Sequence, residues 1–205
     1  MTKGELIVKC LKLLNENDGE QIDPEVVSEY DAYLERTVNI IPSINRALNR
    51  LAEMRKLPVK KIQVNYDEKL KNKTITIPEE QTRDILYIAA VYLFDEKIGL
   101  MDTNTSFILQ GDTLILPHLN FEEHYTVFYY PKATHLKEDD NDTKEIEYPD
   151  YILDVIPYFV KADLYEEDNP NLAAFSRNLF ESYASAIPTR NISTMRGVKD
   201  VYGLY

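Results

Sequence analysis

One cysteine, six glycines and no tryptophan are spread over 205 residues, and each scarcity closes off a class of protein. A lone Cys10 cannot form an intrachain disulfide, and a chain of this length holds a sizeable core without one, as one domain or as a helical frame with a smaller inserted module. Cys10 falls in the apolar periodicity of the first predicted helix, so it reads as a buried thiol in a reducing compartment. Few glycines leave little material for a phosphate cradle, and G-x-x-x-x-G-K-[ST], G-x-G-x-x-G and G-x-S-x-G are all missing. No apolar run reaches the ~20 residues of a membrane span, and no basic flank leads into an apolar N-terminal stretch, so we expect synthesis in the cytoplasm and no membrane contact.

Basic charge is also short. Lysine and arginine number 23 against 35 aspartates and glutamates, a formal charge of −12. Gripping nucleic acid needs clustered cations to neutralise phosphates, and no such cluster occurs. An acidic surface instead repels a duplex, which suits a conduit past which DNA slides without specific binding.

Catalytic and metal-binding patterns are equally sparse. His118, His124 and His135 are the only imidazoles, and the spacing of the first two with Glu122 and Glu123 matches no zinc pattern. The acidic run of Glu138, Asp139, Asp140 and Asp142 fails as a calcium loop, because Lys144 stands where an oxygen ligand is wanted and no glycine follows. Glu166, Glu167 and Asp168 read as a turn between helices, with Asp168 near the next helix N-terminus. We therefore expect no cofactor, no metal and no enzymatic activity.

What is present is strong periodicity. Ile7, Cys10, Leu11 and Leu14 make one apolar stripe on a helix over about residues 2–14, which residues 15–19 end. Asp23-Pro24 then caps a helix carrying Val27, Tyr30, Leu34, Thr37, Val38 and Ile41, which Pro42 should break or kink. Ile44, Ala47, Leu48, Leu51 and Met54 repeat the spacing up to Pro58. Residues 1–58 thus read as three helices, or two with the second bent.

Beyond Pro58 the period drops to two. Ile62, Val64 and Tyr66, then Ile75 and Ile77, define half-buried strands. Residues 85–94 allow a buried helix, but Tyr87, Ile88, Val91 and Tyr92 favour a strand with a possible bulge. Residues 106–110 and 113–116 flank Gly111-Asp112 as a hairpin, and residues 125–130 form a further strand stopped by Pro131. Residues 59–135 are expected to be an inserted antiparallel β module of five or six strands, a small sandwich or open barrel.

Helical periodicity returns over residues 136–188. Residues 136–147 form a polar, exposed loop. Ile152, Ile156, Phe159, Val160 and Leu164 follow on a helix that Pro157 should kink. Asn169-Pro170 then caps a helix whose inward face is predicted as Leu172, Phe175, Leu179, Tyr183 and Ile187. The final stretch, residues 189–205, mixes Arg190, Arg196 and Lys199 with Ile192, Met195, Val198, Val201, Tyr202, Leu204 and Tyr205 around two glycines. Such a segment has little to gain by ordering alone, so we expect an extended tail that needs a partner. The fold class expected is α+β: a bundle of N- and C-terminal helices, an inserted antiparallel β module and an extended C-terminal tail.

This order resembles the head-to-tail adaptor, or connector, proteins of tailed bacteriophages. The resemblance rests on Phe128-Tyr129-Tyr130-Pro131-Lys132 ending a strand, on residues 145–151 opening a helix, and on the acidic linker from Ala162 through Asp168-Asn169-Pro170. Residues 175–183 and Ile41-Pro42-Ser43-Ile44-Asn45-Arg46-Ala47-Leu48 also fit it, and together these cover about three quarters of the chain; residues 62–94 depart from it. It implies a virion structural protein of the neck, built in the host cytoplasm as a ring of about twelve copies. Such a ring docks on the portal protein, extends the DNA channel and receives the next tail or neck component. On that reading the tail residues named above contact the portal or a neighbouring subunit, and Glu138, Asp139, Asp140 and Asp142 line the channel. A different reading makes the β module a binder of a protein or glycan partner.

Overall fold

A computed structural model of the chain describes residues 1–14, 22–29, 37–65, 74–76, 83–95, 100–104, 108–110, 113–115 and 124–189. The fold is α+β and divides into two compact units, one formed by Met1–Leu57 with Ala133–Thr189 and the other containing Pro58–Lys132. The expected insert, residues 59–135, compares with the second of these. The expected tail, beyond Thr189, lies outside the described residues.

The first unit is helical. Helix α1 (Lys3–Leu14) buries Leu6, Ile7, Cys10, Leu11 and Leu14, the stripe read from spacing. A 3₁₀ segment follows at Pro24–Glu29, where Val26 leaves helical geometry at φ −133°. The helix expected from Asp23-Pro24 opens as this 3₁₀ segment, and Thr37, Val38 and Ile41 lie on α2 (Thr37–Glu53). Tyr30 and Leu34 lie outside the described residues.

Pro42 was expected to break or kink the helix, and α2 runs through it without a break. A proline at the sixth helical position removes one hydrogen bond, to the carbonyl of residue 38. Fully buried Ile40, Ile44, Ala47, Leu48 and Leu51 hold the helix on both sides of that gap. The helix ends earlier than predicted, at Glu53, because Arg55 takes a left-handed φ of 58°. The Lys56 amide then donates to the Leu51 carbonyl (2.9 Å) and the Arg55 amide to that of Ala52 (2.9 Å), closing a Schellman turn on a residue other than glycine.

The C-terminal helices complete the unit. Helix α3 (Asp150–Leu153) stops, and α4 (Ile156–Leu164) begins with Pro157 in its first turn. Thus Pro157 starts a helix where a kink was expected, at the position where a missing N–H costs nothing. Helix α4 packs on α1, α2 and the last helix, α5 (Pro170–Ala186), so it is the axis of the unit. Its buried Lys161 sends Nζ to the Leu13 carbonyl (3.0 Å) while the Tyr165 hydroxyl donates to that of Leu14 (3.2 Å), satisfying the open carbonyl end of α1. Lys56 does the same for α5, donating to the carbonyls of Ser185 (3.2 Å) and Ile187 (2.8 Å).

Helix α5 overturns one prediction about its phase. Asn169 caps it as expected, its side chain accepting from the Leu172 amide (3.2 Å). The inward face, however, is Ala173, Ser176, Phe180 and Ala184, not Leu172, Phe175, Leu179 and Tyr183. Small residues let α5 approach α4 closely, and Phe180 fills the remaining space edge-on against Phe159, ring centroids 5.1 Å apart. Ile187 is buried as predicted.

The second unit contains two antiparallel sheets. Strands β1 (Lys60–Asn65), β3 (Ile85–Asp95), β4 (Leu100–Asn104) and β7 (His124–Pro131) lie in the order β1-β7-β3-β4. Strands β2 (Thr74–Thr76), β5 (Ile108–Gln110) and β6 (Thr113–Ile115) make the order β2-β6-β5. Residues 85–94 are a strand, with register shifts between Ile85 and Tyr87 and between Ile88 and Ala90. Ile62, Val127 and Val91 stand side by side across three strands, all buried, and form the rung on which the larger sheet is centred. Strand β4 escaped the sequence reading because Leu-Met-Asp-Thr-Asn carries no alternation; its pairing with β3 supplies the order that its residues do not.

Candidate functional site

In the helical unit the acidic loop is built around a lysine. Lys3 is 1% exposed, and its ammonium meets the carbonyls of Glu138 (3.0 Å) and Asp140 (2.5 Å) and the Asp142 carboxylate (3.6 Å). Two carbonyls accept hydrogen bonds from the ammonium and the carboxylate pairs with it, so the buried cation is satisfied within the loop. The second Asp142 oxygen accepts from the Ser28 amide (3.0 Å), and the Asp142 carbonyl accepts from the Gly4 amide (2.8 Å). Gly4 is required there: a Cβ would lie 1.8 Å from the Pro24 carbonyl oxygen.

This geometry corrects part of the expected channel-lining set. Glu138 and Asp139 are exposed and Asp140 partly so, whereas Asp142 is 5% exposed and committed to Lys3. A buried carboxylate finds its partner inside, so it cannot face a channel. Leu136 and Ile146 are buried as well, as is Tyr148 just beyond them, which anchors a loop, residues 136–147, that had been read as exposed. Asp140 is held below the ordinary carboxylate range, chiefly by its hydrogen bond to Lys144 and then by the Lys137 amide.

The same unit leaves an apolar groove open at one end of α5. Among the described residues Tyr151, Val155, Tyr158, Tyr183, Ala186, Ile187 and Pro188 line it, with Asp154 the one charged side chain, and its volume is about 520 Å³. The Tyr158 and Tyr183 rings stack at 5.1 Å, tilted by 50°. Tyr151 is 56% exposed and Tyr183 46%, and Phe175, two turns before Tyr183 on α5, is 61% exposed. Half-buried Leu179 joins Phe175 to Tyr183, making one continuous outward stripe. These residues were predicted as core. Their signal was present, since Ala173, Ser176, Phe180 and Ala184 repeat at the same helical spacing one residue later, so the helix carries two adjacent stripes.

A second cleft, among Arg46, Arg50, Arg177 and Phe159, is already neutralised. Arg46 pairs with Asp163, Arg50 with Glu181 (2.9 Å), and Arg177 with Glu166 (3.5 Å) while its guanidinium sits 5.9 Å over the Phe159 ring. In the β unit Asp84 accepts from Lys60 (3.0 Å) and from the Tyr129 hydroxyl (3.1 Å). Burial, together with the neighbouring carboxylate, pushes the Tyr129 pKa up to about 12. Cys10 is fully buried and its thiol pKa is raised by that burial.

His135 meets Asn49 at 2.9 Å, His124 opens β7, and His118 lies outside the described residues. Among the described residues no three His, Cys, Asp or Glu side chains gather as a metal site, and no helix is long and apolar enough to cross a membrane. The tail residues named above, from Arg190 to Tyr205, lie outside the described residues. No family model and no curated protein matches the chain.

Proposed function

We propose that the chain is a non-enzymatic structural protein of the virion neck. In this reading it is a head-to-tail adaptor whose copies form a ring beneath the portal of a tailed bacteriophage, extend the DNA channel and present the docking surface for the tail. The observation that carries the reading is the outward aromatic face of the helical unit, Tyr151, Phe175 and Tyr183, exposed at 56, 61 and 46%. A self-sufficient particle gains stability by burying such rings, and aromatic side chains enriched at contacts between subunits are left uncovered in an isolated copy.

Ring closure uses a heterologous interface, in which one patch of each copy meets a different patch of the next. The aromatic face supplies one patch, and the apolar and basic C-terminal segment, on portal or neighbour, supplies an unlike one. The net charge of −12 suits a wall past which DNA moves without adhering. The sequence resemblance over residues 128–132, 145–151 and 162–170 points to the same class of protein.

Mixing the protein with portal and imaging by negative stain tests the reading. Rings seated on the portal are expected, and deleting residues 190–205 should abolish them. A protein that stays monomeric in sedimentation and never joins the portal contradicts it.

A further inference from the structure

The groove at the end of α5 has a shape and a chemistry that select an occupant. Among the described residues its walls are tyrosine rings, Val155, Ile187 and Pro188, and its one charge is the Asp154 carboxylate, half exposed and paired with Lys9 at 2.5 Å. A volume of about 520 Å³ accepts a few apolar side chains, not a folded element. The fitting ligand is an extended segment with apolar anchors and flanking positive charge.

Residues 190–205 of this chain have that character. From Ile192 every third residue is apolar, through Met195, Val198, Val201 and Leu204, a spacing that sets one apolar edge along a three-residue-per-turn extended chain. Arg190, Arg196 and Lys199 against Asp200 make the segment basic in a protein whose total charge is −12. The segment follows directly on the groove, since Pro188 lines it and Thr189 ends the described chain.

We infer that the groove of each copy receives the C-terminal segment of a second copy. The backbone leaves α5 in an extended conformation at Ile187, with φ −61° and ψ 122°. Each copy then gives one segment and receives one, which is the unlike pairing that a closed ring needs. The inference deepens the ring reading and rests on it for the presence of neighbours.

Paired cysteine variants test it in the full chain. One chain carries Ala186→Cys at the exposed groove wall and an affinity tag; the other, untagged, carries Val201→Cys; Cys10 is fully buried in both. The two are mixed at on the order of 0.1 mM, alone and with portal, and treated with a short bismaleimide. A covalent tagged–untagged pair is expected in at least one of the two mixtures. Its yield should fall roughly tenfold when Tyr151→Ala removes one exposed aromatic anchor from the groove-bearing chain. The absence of any link between the chains in both mixtures overturns the inference, and a link formed within a third variant that carries both Ala186→Cys and Val201→Cys then places the segment in its own groove. Portal binding without the link defeats this inference alone, whereas the link without portal binding upholds it and defeats the adaptor reading.

Discussion

The two faces of α5 carry opposite chemistry for their positions. The buried face is mostly small, Ala173, Ser176 and Ala184 around one Phe180, while the outward face displays Phe175 and Tyr183. Packing density explains the first, because two helices approach closely only over small side chains. Nothing within the described helical unit explains the second. One apolar stripe of α5 packs on α4, and the other faces outward.

The sharpest way to break this contrast is to truncate one ring on each face. Phe180→Ala should cost about 3–5 kcal/mol in chemical denaturation, through lost burial and the cavity left against Phe159. Phe175→Ala should change stability by less than about 0.5 kcal/mol, as expected for an exposed side chain, while weakening ring assembly. Equal losses from the two would show that the outward face is part of the monomer's core.

A second contrast sets the buried half of the acidic loop against its exposed half. Asp142→Ala leaves the Lys3 ammonium buried with carbonyl partners alone, and should destabilise by about 3 kcal/mol in the same assay. Asp139→Ala, on the exposed half, should be nearly silent. Smaller again is the cap of α5: Asn169→Ala removes the acceptor of the Leu172 amide and should cost about 1 kcal/mol.

The smallest effect is one of pH. Asp140 has its folded pKa below the ordinary value of 3.8, so its ionised form supports the fold above that value and the support is lost as pH falls through the lowered one. Acid titration followed by amide exchange should therefore show the loop around Lys3 loosening below about pH 3.8, and Lys144→Ala should move that loosening to higher pH.

Much of the architecture was legible in residue spacing, and the failures have physical causes. The α1 stripe, the Asn169 cap and the strand over residues 85–94 were readable because one periodicity dominated each. Pro42 does not break α2, because the burial of Ile40, Ile44 and Leu48 around it outweighs the local propensity. The phase of α5 misled because Leu172, Phe175, Leu179 and Tyr183 outweigh alanines in any hydrophobic sum, although alanines decide how near a helix can come. Strand β4 carried no pattern at all. In the loop, charge suggested exposure, and the burial of Asp142 depends on Lys3, which is far away in sequence and near in space. The groove was likewise unreadable as a site, since its tyrosines come from three helices, α3, α4 and α5, that meet only in the fold.

Footprinting of the outward rings tests the central claim most directly, by comparing oxidative labelling of Tyr151, Phe175 and Tyr183 in the isolated protein and in the portal-bound assembly. The account predicts ready labelling of all three in isolation and strong protection once assembled, with Phe180 protected throughout. Rings already shielded in a solitary monomer, or still fully labelled within an assembled ring, would contradict it.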